Sequence, residues 1–322
     1  MMKNEELKRL AQLSNASPAA VSKTMNHCHG VSAELRHRIL STAEKEGLVQ
    51  DAAVRVDIYM ILPDTPVYFW GQLYRSMQHC KFSCKQNIYS ALYDDPAVLL
   101  SYLREARSLS ARVIILAATQ NTEVQKELSQ FPPETMILFL CEYWEYTNAF
   151  YVGSNPKADG ALLARETEKY PEVKRLLVLN YEESATVRAR IAGYCETLRK
   201  DIAVSFCNYP NGGRNFSSLL ARELYVKFQE QSYDAVMCPD GIIPEVMQAI
   251  AKLKLITMPL LFGFDTSELS FGEYSGAVLC QNITGQGELA IRLAEHYIET
   301  GCYPSQKKNY VSSVFYQIGS KA

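Results

Sequence analysis

A few residues have the type and placement for chemistry. Arg190 stands three positions before Gly193 in an amphipathic stretch, and its planar guanidinium is a fork of donors suited to ligand hydroxyls or a carboxylate. Asp265 closes Gly263-Phe264-Asp265 at the end of an apolar run. A carboxylate there can accept from two neighbouring hydroxyls, and open α/β sheets hold their ligands at such strand ends. Gln281, with Asn282, ends another run six residues before Gly287, and Asp240 follows Pro239 at the end of a third. Tyr68 and Phe69, after the first apolar run, offer an aromatic wall. Each has a structural alternative: Asp240 and Asp265 as helix or loop caps, Arg190 as a surface ion-pair partner, the aromatics as core.

Catalytic and cofactor patterns are weak. Gly285-Gln286-Gly287-Glu288-Leu289-Ala290 fits the spacing of a dinucleotide fingerprint, but it comes late and lacks the acidic residue about 20 positions on. There is no phosphate-loop pattern and no Gly-x-Ser-x-Gly elbow. Of the five histidines only His79 and His296 lie beyond residue 50, both in helical patterns without a partner the sequence can name. The nine cysteines form no Cys-x-x-Cys pair, and His27-Cys28-His29 has no second ligand pair for zinc. Cys80 with Cys84, Cys141, Cys195, Cys238 and Cys280 read as reduced thiols in or beside apolar packing. The expectation is a non-enzyme without metal or cofactor.

These residues need elements to position them. At 322 residues, with 48% hydrophobic and 21% charged, the chain is an ordinary globular composition of about two domains. Lys+Arg 33 against Asp+Glu 35 leaves a net charge of -2, so any nucleic-acid contact must be local. The longest apolar runs, such as Ile114 to Ala118, fall short of the roughly 18 residues of a membrane span. Met1 to Arg9 is polar and charged, unlike an export signal, and the expected location is cytoplasmic.

Residues 1–50 carry only helical periodicity. From Val56 onward, nine short apolar runs alternate with amphipathic stretches: 56–62, 88–92, 113–117, 136–140, 175–179, 204–207, 235–238, 260–264 and 277–279. Strand and helix alternating so often predicts parallel, doubly wound α/β sheets, because a parallel connection needs a crossover long enough to hold a helix. Nine strands favour two subdomains, with a cleft between them as the default ligand site.

The head has its own logic. Leu7, Leu10, Ala11 and Leu13 are spaced as a helix, Asn15 suits a left-handed turn, and Ser17-Pro18 caps and opens a second helix. A third opens at Ser32, with Glu34 in its first turn. This is a helix-turn-helix pattern, whose second helix enters a DNA major groove.

Through Val21-Ser22-Lys23, Asn26 and Val31-Ser32 this segment resembles the headpiece of the LacI/GalR family of bacterial transcription regulators. The body resembles that family's periplasmic-binding-protein-like effector domain. The resemblance implies an all-α helix-turn-helix head at 1–50, a short linker at 51–55 and an effector-binding domain at 56–322. The latter divides into an N-subdomain (about 56–154 and 283–310) and a C-subdomain (about 155–282 and 311–322).

It further implies that Pro18, Ala19 and Lys23 face base edges of an operator, that Ser17, Ser22 and Asn26 lie near phosphates, and that Phe216 stacks on a ligand ring. Lys23 is then the one plausible donor to a guanine, since Pro18 and Ala19 offer only apolar contact. The implied partners are double-stranded DNA, a carbohydrate-like effector and a second copy of the chain.

In 1–55, Lys3, Lys8, Arg9, Lys23, Arg36, Arg38, Lys45 and Arg55 stand against Glu5, Glu6, Glu34, Glu44, Glu46 and Asp51. With so small an excess, a single head binds weakly and two are needed. Gly47 to Arg55 departs from the family pattern: it has no Pro-Asn and no room for the hinge helix that wedges the minor groove. The competing expectation is a ligand sensor that has lost specific operator binding.

Overall fold

The computed structural model describes residues 4–25, 31, 33–46, 57–64, 67–80, 88–118, 121–140, 142, 144–145, 148–180, 184–209, 216–266 and 271–319. Asn26, the His27–His29 cluster, Ser32, Cys84, Cys141 and the 47–56 segment, where the hinge was sought, lie outside them.

Three helices open the chain: α1 (Asn4–Leu13), α2 (Pro18–Met25) and α3 (Ala33–Lys45). Asn15 makes the turn between the first two at φ 46, a left-handed conformation that asparagine tolerates better than most residues. Ser17 Oγ then accepts from the Ala20 amide at 3.1 Å, capping α2 with Pro18 at its first position. Leu10, Ala11, Val21, Ile39 and Ala43 are buried together, and Arg38 Nε donates to the Ser14 carbonyl at 2.9 Å, tying α3 to the turn.

After them come β1 (Ile58–Pro63), α4 (Val67–His79), β2 (Ile88–Tyr93), α5 (Pro96–Ser108), β3 (Val113–Leu116), α6 (Thr122–Leu128), β4 (Met136–Leu140) and β5 (Ala149–Gly153). Next are α7 (Pro156–Thr167), β6 (Arg175–Asn180), α8 (Ala185–Thr197), β7 (Ala203–Asn208), α9 (Phe216–Glu230), β8 (Ala235–Cys238), α10 (Ile243–Lys252) and β9 (Leu260–Phe264). The chain finishes with β10 (Gly276–Cys280), α11 (Ile283–Thr300), β11 (Lys308–Tyr310) and β12 (Val314–Ile318).

The strands form two six-stranded sheets, ordered β11-β5-β4-β3-β1-β2 and β12-β10-β9-β8-β6-β7. Pairings β1–β2, β1–β3, β3–β4, β6–β7, β6–β8, β8–β9 and β9–β10 are parallel, as the strand–helix alternation predicts, and β12 adds antiparallel to β10. Three strands were not foreseen: β5, β11 and β12. The central strands are buried on both faces, which is why β4, β8 and β9 read as uninterrupted apolar runs.

Two compact units result: Met1–Tyr151 with Gly287–Lys308, and Val152–Gln286 with Asn309–Ala322. The opening helices have a core of their own, yet they group with the first unit and α3 lies against α5. Among the described residues they are therefore not a body apart, as the expected separate head would be.

Candidate functional site

In the second unit the site begins with a helix crossing. A Cβ added to Gly193 of α8 would fall 1.9 Å from the Lys157 carbonyl oxygen of α7, and one added to Gly160 would fall 2.0 Å from the Arg190 carbonyl oxygen. Only glycine at both points allows α7 and α8 to cross backbone to backbone. The approach is reinforced by a 2.7 Å hydrogen bond between Thr167 and the fully buried Tyr194.

One turn before Gly193, Arg190 is driven inward to 1% exposure. Its Nη2 donates to Asp265 Oδ2 at 2.7 Å and its Nη1 to the Pro239 carbonyl at 3.0 Å, with Asp240 Oδ1 3.7 Å from Nη1. The guanidinium carbon lies 4.4 Å from the centroid of the Phe264 ring, in cation–π contact. Burial opposes its charge, but the fields of Asp265, Asp240 and Asp159 and the Asp265 hydrogen bond outweigh that cost, so the guanidinium is held firmly ionised.

Asp265 follows β9 with φ 43. In this left-handed conformation its carboxylate meets the neighbouring strand end: Oδ1 accepts from the Gln281 amide at 2.9 Å, and Oδ2 accepts from Gln281 Nε2 at 2.9 Å. Gln281 Oε1 in turn accepts from Nε2 of Gln286, which is fully buried. Two buried polar atoms of this network, Arg190 Nε and Gln286 Oε1, have no partner among the described residues. Asp240 differs in being exposed: its side chain is 54% accessible, against 1% for Arg190 and 15% for Asp265. Pro239 and Asp240 follow β8, Asp265 follows β9 and Gln281 follows β10, so all lie at carboxyl ends of parallel strands.

Asp159, in the first turn of α7, completes the charges. Its Oδ2 accepts from Ser313 Oγ at 3.0 Å. Burial pushes its carboxyl above the ordinary aspartate value, against hydrogen bonds from Ser154 and Ser313 and the field of Arg190. No sequence signal singled out Asp159, Gln286 or Phe264. Gln286 lay inside the glycine motif read for a dinucleotide, and the structure gives those glycines another use: a Cβ on Gly287 would sit 1.8 Å from Ser76 Oγ of α4.

The structure thus brings Arg190, Asp240, Asp265 and Gln281 together. Phe216 opens α9 and packs edge-on against Tyr209 at 6.0 Å. Tyr68 and Phe69, read as an aromatic wall after the first strand, belong to the first unit and lie on α4. Phe69 is half-buried with its ring against Trp70 at 4.9 Å, and the Tyr68 side chain lies outside the described ones. In the opening helices Ser17, Pro18, Ala19 and Lys23 are exposed, while Ser22 is partly buried and engaged.

Among the described residues no group of His, Cys, Asp or Glu could hold a metal ion. The described cysteines are free: Cys207 and Cys238 are buried, Cys80, Cys195 and Cys280 partly buried, and Cys302 exposed. No helix among the described residues is long and apolar enough to cross a membrane.

No protein-family model and no curated protein sequence matches the chain. Solved structures do. A LacI-family transcriptional regulator from Silicibacter pomeroyi superposes with TM-score 0.63 at 15% identity, covering 97% of both chains. A myo-inositol binding protein from Caulobacter, bound to myo-inositol, gives 0.64 at 18% identity over 82% of this chain and 93% of that one. The Cra transcriptional dual regulator from Pseudomonas putida, in complex with fructose 1-phosphate, gives 0.63 at 16% over 82% and 98%. The fold is the two-unit α/β architecture of periplasmic sugar-binding proteins and of LacI-family regulators.

Proposed function

We propose that the chain is a DNA-binding transcriptional regulator of the LacI/GalR type, whose effector is a sugar or polyol and which catalyses no reaction. One observation carries the reading: a single chain combines a capped helix-turn-helix with Pro18, Ala19 and Lys23 outward, and a polar cluster at the strand ends of a sugar-binding-protein fold. The likeness to a LacI-family regulator over nearly the whole chain supports it. Asp240, Asp265 and Gln281 set the polar face of the effector site, with Arg190 holding Asp265 from behind, and Phe216 supplies an apolar contact. Effector binding biases two DNA-binding states through differential affinity. Such a protein works in the cytoplasm.

The working form is a homodimer, because one head of small net charge grips DNA weakly. Exposed apolar side chains support pairing: Leu92 on edge strand β2, Phe206 on edge strand β7, and Tyr225 and Val226 on α9. Sedimentation at micromolar concentration tests this, and a monomer would refute it.

The DNA reading is tested by binding of the full chain to fragments of its own promoter region across a salt series. Affinity should fall steeply with salt, and Lys23→Ala should weaken binding and flatten the salt slope by about one unit. The second reading, a sensor without operator specificity, is favoured by the absence of hydrogen-bonding groups on Pro18 and Ala19. Unchanged affinity in Lys23→Ala would select it.

A further inference from the structure

The effector site proposed above has a charge balance that narrows its ligand, and this inference rests on that reading. Among the described residues the cluster holds one cation, Arg190, and three carboxylates, Asp159, Asp240 and Asp265. The cation is already committed. Its Nη2 is bound to Asp265 at 2.7 Å and its Nη1 to the Pro239 carbonyl, and it is 1% exposed. An incoming phosphate or carboxylate would have to displace Asp265 from Arg190, and the displaced carboxylate would remain beside it as a like charge.

Asp240 is more exposed than Asp265 and Arg190, and burial of its surroundings pushes its carboxyl above the ordinary aspartate value against the field of Arg190. Its side chain is half exposed, and its Oδ1 already accepts from the Gly241 amide at 2.9 Å while facing Arg190 at 3.7 Å. Its second oxygen has no partner among the described residues. That oxygen can accept from a hydroxyl or pair with an amine, and it repels an anion. The two buried atoms without a partner among the described residues, Arg190 Nε and Gln286 Oε1, are one donor and one acceptor, and neither adds a second cation to the cluster.

We propose that this site selects polyhydroxylated ligands carrying no anionic group, neutral or amine-bearing, and that Asp240 is the residue enforcing the exclusion. The regulator complexed with fructose 1-phosphate shares the fold, so the fold itself does not decide ligand charge.

The experiment is calorimetric titration of the full chain, and of Asp240→Asn, with three matched sets. These are D-glucose, D-glucosamine and glucose 6-phosphate; D-fructose and fructose 1-phosphate; and myo-inositol and inositol 1-phosphate. Inorganic phosphate is titrated alone. The expected result is a parent sugar or amine that binds and a phosphate ester at least tenfold weaker. In Asp240→Asn the penalty on the ester should shrink about tenfold, the effect of one half-exposed charge about 6 Å away at an effective dielectric of roughly 40.

A phosphate ester binding as tightly as its parent overturns the inference and leaves the sugar-sensor reading standing. An unchanged ester penalty in Asp240→Asn, and equally in Asp240→Ser, removes Asp240 from the role. Failure of every probe to bind refutes the sugar-effector reading itself, and the inference falls with it.

Discussion

Replacing Asp265 by Asn tests whether the buried ion pair is the element on which the site is built. Asparagine keeps the volume, tolerates the left-handed backbone at φ 43 as aspartate does, and keeps a carbonyl for one of Gln281's two donors. What it removes is the countercharge 2.7 Å from a guanidinium only 1% exposed. Removing one partner of a buried pair costs about 3–5 kcal/mol. Here Asp240 remains 3.7 Å away, though half in solvent, so the lower end applies, about 3 kcal/mol. For a unit of this size that lowers the thermal midpoint by roughly 6–12 °C.

The assay can localise the effect. Trp70 and Trp144 both belong to the first unit, so tryptophan fluorescence follows that unit while far-UV circular dichroism follows both. The dichroism transition should move and the fluorescence transition should move less. Adding Arg190→Met to Asp265→Asn should recover part of the loss, since an apolar replacement of a buried pair is often neutral. The reasoning is refuted if Asp265→Asn unfolds within about 1 kcal/mol of wild type, a cost ordinary for any point substitution, or if the double variant loses the sum of the single costs.

Two further outcomes follow from the same crossing. Gly193→Ala places a Cβ 1.9 Å from a backbone oxygen that cannot rotate away, so α7 and α8 must separate. A loss of about 3 kcal/mol or more in urea unfolding is expected, at or above the upper range for overpacking, and one under about 1 kcal/mol would contradict the crossing. Asp159→Asn should change the pH dependence of stability. Burial holds the Asp159 carboxyl above its unfolded value near 3.8, so the folded state binds the proton more tightly. Its contribution therefore favours folding at low pH and is lost as pH rises from that value through the raised one. The variant should match wild type best near pH 4 and lose less stability toward pH 7; equal slopes would sink the assignment.

The parts of the fold most legible in sequence were those whose burial is complete. Met136–Leu140, Ala235–Cys238 and Leu260–Phe264 are strands lying where their apolar runs lie, because a strand covered on both faces needs no alternation. The unforeseen β11 and β12 are polar or mostly exposed, and their pairing is fixed by the sheet they join. α4 begins at Val67, earlier than its periodicity shows, because Val67-Tyr68-Phe69-Trp70 is a β-branched and aromatic run that reads equally as strand. α11 begins at Ile283 and runs through Gly285 and Gly287, residues that in sequence interrupt a helix. At the site, Arg190, Asp265 and Gln281 were legible because each sits at a fixed place on its element. Asp159 and Gln286 were not, since their roles depend on which helix crosses which strand end.

The crossing also changes what Arg190 does. In sequence it reads as an outward fork of donors; in the fold, the glycines that let α7 and α8 touch carry it into the interior. There two of its nitrogens orient Asp265 and hold the turn after β8 by its Pro239 carbonyl. Asp265, so held, fixes Gln281 through both carboxylate oxygens, and Gln281 fixes Gln286. The guanidinium is therefore a positioning group for three strand ends, and the surface a ligand meets is set by what that pairing leaves outward. Along this chain of contacts, the residue with most freedom to alter recognition without dismantling the unit is Asp240, the half-exposed member.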